Sequence, residues 1–291
     1  MVRNEADIVG LAVLHNLSLG LDGVIVLDNG STDGTEKVLR QLAEEDDRVW
    51  WTRDDSLFDQ GTITTELARE ALRRDADWVL PFDADEFWLA RRGDFRSILV
   101  DSEAGALSVN PVNFVQARTQ HESTLEALLS MTRRVAEPFP PGRLCRRLVE
   151  SHQLGFVQMA YPPKWISRPT EEIRIGRGDH RVFGVKGKRA ACVRATCLHA
   201  PLRSRALLES KVERSRRLME AGMNPFGWHV SHWAYEIGQG GLEREWAANS
   251  YEGEHLDVYG KRYRVVPDFR LRNAVKPLVP RVSRIIAGLP S

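Results

Sequence analysis

The sequence predicts an α/β fold with a Rossmann-like, mostly parallel sheet flanked by helices. Short apolar runs of strand length, at 23–28, 48–52 and 78–82, alternate along the first third of the chain with longer segments of helical periodicity. This alternation favours parallel strand pairing, because each helix carries the chain back across the sheet. The chain has 291 residues, 42% of them hydrophobic, which is enough to bury a full core.

The first elements follow directly from the N-terminus. Residues 5–19 carry apolar side chains at helical spacing. The run GVIVLD at 23–28 is closed by turn residues, which predicts a buried strand. The segment NGSTDGTEKVLRQLAEE then predicts a second helix, where Asp33 and Glu36 have the spacing of a capping box.

Further elements complete the predicted domain. RVWWT predicts a second strand, residues 64–74 a helix, and WVLPF at 78–82 a third strand. A long helix is expected over 205–221. We therefore expect a catalytic domain over 1–222, and a helical extension on the acceptor side over 223–291.

Carboxylates crowd at the ends of two predicted strands. The first strand ends in Asp28, and the third is followed by Asp83, Asp85 and Glu86. Ligands of open α/β sheets bind at the carboxyl ends of strands, so both acidic groups should face a ligand. Crowded carboxylates raise one another's pKa unless a cation is present, and such oxygen ligands suit Mg²⁺ or Mn²⁺. The alternative is a solvated acidic loop, against which the flanking aromatic residues argue.

Five stretches of the sequence carry a family resemblance. They are MVRNEADIV, VIVLDNGSTDGT, DADEF, the pair KWISRPT and GDH, and LHAPLRSRALLESKV. Their order resembles the family-2-type glycosyltransferases of the GT-A fold, in the branch related to the family-92 enzymes, over roughly residues 2–215. The resemblance implies transfer of a sugar from a nucleotide-sugar donor, most commonly a UDP-sugar. The implied acceptor is a glycan or a lipid-linked molecule, in polysaccharide biosynthesis.

The resemblance also implies roles for individual residues. The positions that match donor-binding residues are Arg3, Asn4, Glu5, Asp28 and Asp83. Asp83 and Asp85 match the Asp-x-Asp pair that holds Mn²⁺ or Mg²⁺, the second being the usual direct ligand. His199 matches a further metal ligand, and it follows a predicted strand; the alternative is a core or capping histidine. Lys164 could contact the diphosphate, or be an ordinary surface charge.

The catalytic base stays open at this point. In inverting members of the family a carboxylate or a histidine takes the proton of the acceptor hydroxyl. We favour the loop of Asp179 and His180 for this role. Glu86 is close to the metal pair, but it would equally serve to orient the loop. Glu171 and Glu172 are competitors for which a solvated position is the more common outcome.

Composition and charge limit the other possibilities. The net charge is +1, from 41 basic and 40 acidic residues, which argues against a nucleic-acid-binding protein. No apolar run is long enough to cross a bilayer, there is no signal peptide, and the three cysteines lack zinc spacing. We therefore expect a cytoplasmic protein. The basic, apolar tail at 271–290 could contact a membrane surface, but Pro277 and Pro280 interrupt its helix and favour docking on the protein.

Two rival functions remain. A phosphatase of the aspartyl-phosphate type is suggested by FDADEF, but Phe87 stands where that class has Thr or Val. A non-catalytic nucleotide-sugar-binding module is the other rival, and the intact Asp83, Asp85 and His199 argue against it. A nucleotidyltransferase would need a glycine-rich phosphate loop at the N-terminus, and VRNEADIVG is not one.

Two further features produce expectations. Only Met1 and Val2 precede Arg3, where the resembled fold has a complete apolar strand; the expectation is either a truncated first strand or a start that lies further upstream. His229 and His232 have a spacing that can bind a metal on a helix, but the neighbouring sequence offers no third ligand. A role in packing or in the acceptor pocket is therefore favoured for this pair.

Overall fold

The computed structural model describes residues 1–55, 59–220 and 227–288 as a mixed α/β protein. The strands are β1 (Val24–Asp28), β2 (Val49–Arg53), β3 (Glu86–Ala90), β4 (Ala106–Val109), β5 (Pro111–Ala117), β6 (Arg133–Val135), β7 (Lys164–Ser167), β8 (Arg174–Ile175), β9 (Val182–Phe183), β10 (Arg189–Ala191), β11 (Ala195–His199), β12 (Ser250–Glu252), β13 (His255–Val258) and β14 (Lys261–Pro267).

The helices account for much of the remaining chain. They are α1 (Val9–Ser18), α2 (Thr35–Glu45), α3 (Gln60–Arg73), α4 (Phe95–Val100), α5 (Leu125–Ser130), α6 (Arg143–Glu150), α7 (Arg205–Glu220), α8 (Trp228–Gly238), α9 (Leu242–Asn249), α10 (Arg270–Val275) and α11 (Val279–Ala287). Short 3-10 helices lie at Phe156–Gln158, Arg177–Asp179 and Lys276–Leu278. The predicted helices at 5–19, 64–74 and 205–221 therefore correspond to α1, α3 and the described part of α7.

The chain divides into two compact units. The first contains Met1–Pro111, Pro162–His199 and Ala274–Ser291, and the second contains Val112–Tyr161 and Ala200–Asn273. These units do not follow the expected boundary at residue 222, which itself lies outside the described residues. A functional division at that boundary stays a prediction.

In the first unit the strands form several small sheets. β1 and β2 pair in parallel, with Val24 opposite Val49 and Asp28 opposite Arg53. β3 pairs antiparallel with β11, β8 pairs antiparallel with β9, and β4 lies between β7 and β10. Helix α1 packs against β1, α2 and β3, and nearly all of its side chains are buried.

The prediction of a mostly parallel sheet is wrong. The α/β class is confirmed, but among the described strands parallel pairing is in the minority: β1–β2, β4–β10 and β5–β12 pair in parallel. Antiparallel pairing joins β3–β11, β4–β7, β5–β6, β6–β14, β8–β9, β12–β13 and β13–β14. The reason is the connections: several successive strands of the second half are joined by short turns, which permit only antiparallel pairing. Among consecutive strands of the described chain, only β1 and β2 pair in parallel, as the alternation in the sequence predicted.

The predicted strand over 78–82 is also wrong. Within it only Val79 forms a bridge, exchanging backbone hydrogen bonds of 2.8 and 3.0 Å with Ser167. Pro81 has no N–H group to donate, so the segment cannot continue a ladder. The regular strand β3 begins instead at Glu86, within the acidic motif.

The predicted capping box of Asp33 and Glu36 is not formed. Helix α2 begins at Thr35, and the residue before it, Gly34, has a φ of 102° that favours glycine. The Asp33 carboxylate instead accepts hydrogen bonds from the backbone N–H of Thr35 (3.0 Å) and from its hydroxyl (2.6 Å). Its other oxygen accepts from the N–H of Ala6 at 3.1 Å, so this side chain joins two loops.

The second unit is built on five strands. β5, β6, β14, β13 and β12 pair antiparallel in that order, and β12 then pairs in parallel with β5, which closes the strands into a ring. Helices α6, α7, α8 and α9 pack with one another in this unit. Trp233 and Trp246 are among the largest buried side chains, and the Trp246 indole donates to the carbonyl of Arg118 at 2.8 Å.

The C-terminal tail docks on the first unit, as the prolines suggested. Val282 of α11 is fully buried and lies against Gly10 of α1, where a Cβ would come within 3.1 Å of the valine. Arg281 forms an ion pair of 3.1 Å with Glu45 of α2. Among the described helices, none combines the length and apolar character that a bilayer crossing requires.

Candidate functional site

Two loops that the sequence motifs define lie against each other at the end of β1. The N–H of Asn4 donates to the Ser31 hydroxyl at 2.8 Å, and the N–H of Thr32 donates to the Asn4 side-chain oxygen at 2.8 Å. The N–H of Glu5 donates to the Thr35 hydroxyl at 2.9 Å. The stretches RNEA and DNGSTDGT therefore form one interlocked structure. Asn4 adopts a left-handed φ of 54°, which this bonding holds in place.

Asp28 is the buried carboxylate at the base of these loops. Its residue is fully buried at the end of β1, and its Oδ1 atom accepts from both the N–H (3.1 Å) and the hydroxyl (2.5 Å) of Ser31. Its Oδ2 atom is 3.8 Å from Arg53 and has no hydrogen-bond partner among the described residues. A buried carboxylate oxygen in this state is costly, and a ligand N–H would satisfy it.

A lysine lies at the centre of the acidic motif. Lys164, the first residue of β7, is buried, and its Nζ atom lies 2.6 Å from Glu86, 3.1 Å from Asp83 and 3.8 Å from Asp179. Asp83 also accepts from the Gln60 side chain at 3.0 Å, and Glu86 accepts from the Asp83 N–H at 3.2 Å. Three carboxylates, two from the acidic motif and one from the 178–180 loop, therefore share one ammonium group.

One ammonium group cannot neutralise three carboxylates, and the pKa values of the three carboxyl groups therefore differ widely. Burial raises the pKa of Asp83, but Lys164 outweighs it and lowers that pKa to about 2. Burial raises the pKa of Glu86 to about 8 and that of Asp179 to about 6, with Lys164 opposing in both cases. Near neutral pH Glu86 is therefore mainly protonated. Asp179, whose pKa lies just below neutral pH, is mainly ionised.

Asp85 and His199 form a second pair beside this cluster. β3 and β11 are antiparallel, and their register places His199 opposite Glu86. The His199 Nε2 atom lies 3.6 Å from Asp85 Oδ1, and both side chains are largely buried. Two of the three residues that the resemblance implies as metal ligands are thus brought together, whereas the third, Asp83, contacts Lys164 and Gln60.

This pair fits a Mn²⁺ or Mg²⁺ ion. One carboxylate and one imidazole are few ligands, but these ions commonly take one or two protein ligands and fill the remaining positions with water and substrate phosphate. Imidazole is a better ligand for Mn²⁺ than for Mg²⁺. Asp83, Asp85 and His199 do not converge as a set of three in the described chain, so a direct contact of Asp83 with the ion stays a prediction.

The loop of Asp179 and His180 lies next to the lysine. Gly178 and Asp179 both have left-handed φ values, 66° and 57°. The Asp179 Oδ1 atom is buried and has no hydrogen-bond partner in the described part of the chain. The His180 Nδ1 atom is 3.3 Å from the carbonyl of Pro163, which can only accept, so Nδ1 carries the proton. Burial lowers the pKa of His180 to about 4, so the ring is neutral.

The remaining candidate residues from the sequence are at least partly exposed to solvent. Arg3 is half-buried, and Glu171 and Glu172 are exposed, as a solvated position predicts. Gln60 was missed: it bonds to Asp83 and accepts from the N–H of Gly178 at 3.3 Å, linking the acidic motif to the 178–180 loop. Nothing in the local sequence distinguishes this glutamine from others at a helix start.

A cavity of about 400 Å³ adjoins the cluster within the first unit. Asp83, Asp179 and Gln60 line one part of it. The rest is mostly apolar and lies between α1, β1 and the segment 78–82. The predicted strand at 78–82 is therefore one wall of a cavity.

Comparison with known proteins provides little further information. No family model matches the sequence, and no curated protein matches it. Seven chains of known structure resemble it. One is the mannosyltransferase PcManGT from Pyrobaculum calidifontis, in complex with GDP-Man and Mn²⁺. It is 17% identical, with a TM-score of 0.36, and the match covers 98% of this chain and 78% of that chain. Likeness at this level says nothing about chemistry, which has to be read from the residues themselves.

Proposed function

We propose that the protein is a metal-dependent glycosyltransferase that moves a sugar from a nucleoside-diphosphate donor to an acceptor hydroxyl. One observation carries the proposal: Asp83, Glu86 and Asp179 surround Lys164 beside the pair of Asp85 and His199. Burying this much like charge is costly to stability, and groups with strongly shifted pKa values concentrate at functional sites.

The nucleoside is assigned to the loops at the end of β1. The unsatisfied Oδ2 atom of Asp28 is a hydrogen-bond acceptor, and both uracil and guanine carry a ring N–H that could donate to it. UDP and GDP are therefore the donor nucleotides to test, with UDP favoured by the family that the motifs resemble. Asn4 and Asp33 hold the two loops in register, and they position this acceptor indirectly.

The diphosphate is assigned to the pair of Asp85 and His199. A divalent cation bound there would neutralise the charge that develops on the departing diphosphate. The Lys164 ammonium is already shared by three carboxylates, so its main effect is to hold them together. Contact of Lys164 with the diphosphate stays a prediction.

Asp179 is the group best suited to take the acceptor proton. Its Oδ1 atom is buried without a hydrogen bond, and its pKa of about 6 leaves it mostly ionised at pH 7 yet more basic than an ordinary aspartate. Direct attack by the deprotonated hydroxyl on the anomeric carbon would invert the configuration there. His180 is the second candidate, because its unprotonated Nε2 atom is an acceptor.

Calorimetric titration of UDP and GDP, with Mn²⁺, with Mg²⁺ and with EDTA, tests the donor site. We expect metal-dependent binding of one nucleotide, and at least a roughly tenfold loss of affinity in Asp85→Asn, because a direct ligand is removed. Asp47→Asn, an exposed aspartate of the same unit, is the matched control. Failure of both nucleotides to bind under every condition would contradict the proposal.

Turnover separates an enzyme from a binding module. Candidate sugar donors are incubated with glycan and lipid-linked acceptors, and release of nucleoside diphosphate is measured. Asp179→Asn should bind donor normally but transfer at least about a hundredfold more slowly, the size of effect typical of a general base. Donor binding without transfer to any acceptor would support the non-catalytic alternative instead.

A further inference from the structure

A second group of ligand-type side chains lies in the second unit, on segments other than those that form the candidate site. His152, His232 and Glu245 each offer one ligand atom, and these atoms all lie within 4.8 Å of one another. His152 follows α6, His232 lies in α8, and Glu245 lies in α9. Tertiary structure therefore brings His152 and Glu245 to His232, although the sequence near His229 and His232 offers no third ligand. His229 is not a member of this group. The His229 ring packs against the Phe156 ring, with 4.4 Å between the ring centroids.

The three ligand atoms are buried and unsatisfied. Nε2 of His152, Nε2 of His232 and Oε2 of Glu245 have no hydrogen-bond partner among the residues that the structure describes. His232 Nε2 and Glu245 Oε2 are 3.8 Å apart, too far for a hydrogen bond, and His152 Nε2 lies 3.3 Å from Glu236 without suitable hydrogen-bond geometry. Each such atom costs free energy that a bound ion would recover.

Neighbouring residues hold these side chains in place. The Tyr259 hydroxyl donates to Glu245 Oε1 at 2.6 Å, which leaves Oε2 directed at the histidines. The same tyrosine ring packs on His152, with 4.4 Å between ring centroids. Arg244 forms an ion pair with Glu236, the carboxylate next to His152. Partners of this kind orient the ligands of metal sites and raise their affinity.

The backbone at this cluster is strained. Only five non-glycine residues in the described chain have a left-handed φ, and two of them are His152 (57°) and Tyr259 (50°). Such conformations persist where surrounding contacts enforce them, and they concentrate at functional sites. His152 is also about one-third exposed, which leaves a route for an ion from solvent.

We propose that His152, His232 and Glu245 bind one Zn²⁺ ion. Two imidazoles and one carboxylate are a donor set that Zn²⁺ prefers over Mg²⁺, at bond lengths of about 2.0–2.2 Å. The three ligand atoms, which lie within 4.8 Å of one another, would move closer together around the ion. Water or Glu236 would fill the fourth position. The ion would tie the turn after α6 to α8 and α9. This site does not depend on the proposed transferase function.

Metal binding to the whole chain tests the inference directly. Protein freed of metal by a chelator is titrated with ZnCl₂, followed by calorimetry and by thermal unfolding, and with CoCl₂, followed by visible absorption. We expect one Zn²⁺ per chain with submicromolar affinity, a raised melting temperature, and the absorption of four-coordinate Co²⁺. Absence of Zn²⁺ or Co²⁺ binding at micromolar concentration would overturn the proposal without any variant.

Variants locate the ion. Glu245→Gln keeps the shape of the side chain and should weaken Zn²⁺ binding at least tenfold, roughly the scale of a lost ligand interaction, and Tyr259→Phe should weaken it less. His255→Gln, a partly exposed histidine of the same unit, is the matched control and should bind as the unaltered protein does. If Zn²⁺ binding survives Glu245→Gln but is lost in Asp85→Asn, the ion occupies the other site and the proposal is wrong. Circular dichroism of each variant verifies folding.

Discussion

Lys164 is the residue on which the arrangement of the candidate site depends. Three carboxylates contact its ammonium group, and they raise its pKa well above the usual value although burial opposes the charge. Replacing such a lysine would leave buried carboxylates without a counterion, a change that typically costs several kcal/mol. The charge balance is incomplete even with the lysine, and the pKa of Glu86 is raised to about 8, so this group is mainly protonated near neutral pH.

Glu86→Gln should change how stability depends on pH. The pKa of Glu86 rises from 4.5 to about 8 on folding, so the folded state binds this proton more tightly and stability from this group falls as pH rises between those values. Relative to Glu86→Gln, the unaltered protein should lose up to about 5 kcal/mol between pH 4.5 and pH 8. Urea unfolding with EDTA at several pH values measures the difference. Glu103→Gln, an exposed glutamate, is the control, and a constant difference for Glu86→Gln would contradict the prediction.

Gly178→Ala should disturb His180. A Cβ at residue 178 would lie 2.9 Å from the His180 ring, and the φ of 66° is itself unfavourable for alanine. Gly93→Ala is the matched control, because Gly93 has a φ of 69° but its added Cβ would meet no atom closer than 3.9 Å. We expect Gly178→Ala to lose about 1–3 kcal/mol more free energy of unfolding than the control. Equal losses in urea unfolding would show that the ring moves aside freely.

At the scale of elements, the segment 78–82 shows how an apolar run can mislead. Its composition is that of a buried strand, but only Val79 pairs, and Trp78, Leu80 and Phe82 line the cavity beside β1. The other wall of that cavity is the edge of β1 that faces away from β2. Val2 occupies the end of this edge, with its N–H on the Leu27 carbonyl at 2.9 Å and a parallel bridge to Asp28.

A short apolar strand fused ahead of Met1 should stabilise the first unit. The bridge of Val2 with Asp28 sets a parallel register in which the added residues would lie opposite Val26, Ile25 and Val24. Each buried apolar side chain contributes about 1.5–3 kcal/mol, which exceeds the ordering cost of about 1–2 kcal/mol per residue. We expect four added Val or Ile residues to raise the melting temperature by several degrees. Four Gly and Ser residues should not, and an equal effect of both additions would contradict the prediction.

At the scale of the whole molecule, charge is nearly balanced. The 41 basic and 40 acidic residues leave no general excess with which to displace counterions from a nucleic acid. We predict no binding to a fluorescent DNA duplex at 150 mM salt, measured by anisotropy up to micromolar protein. Binding that weakens steeply as salt is raised would contradict this and would indicate a local basic surface.

Each compact unit contains its own cluster of buried, chemically active side chains. The first holds the carboxylates around Lys164, and the second holds His152, His232 and Glu245. Sequence motifs pointed to most of the first cluster, because Asp83 and Glu86 lie in one short acidic stretch and Lys164 and Asp179 lie in two further motif stretches. They pointed to His232 only, paired with His229, and not to the second cluster as a whole, whose members come from the turn after α6 and from helices α8 and α9.

The sequence by itself determined where most helices of the first unit lie, that a strand ends in Asp28, and that Asp83, Asp85 and Glu86 form one acidic motif. These follow from local periodicity and from short-range turn chemistry, which depend on neighbouring residues. Tertiary structure alone decided that Lys164 lies among three carboxylates, that the sheets are mainly antiparallel, and that His232 meets His152 and Glu245. Those outcomes depend on contacts between residues far apart in the chain, on which local periodicity carries no information.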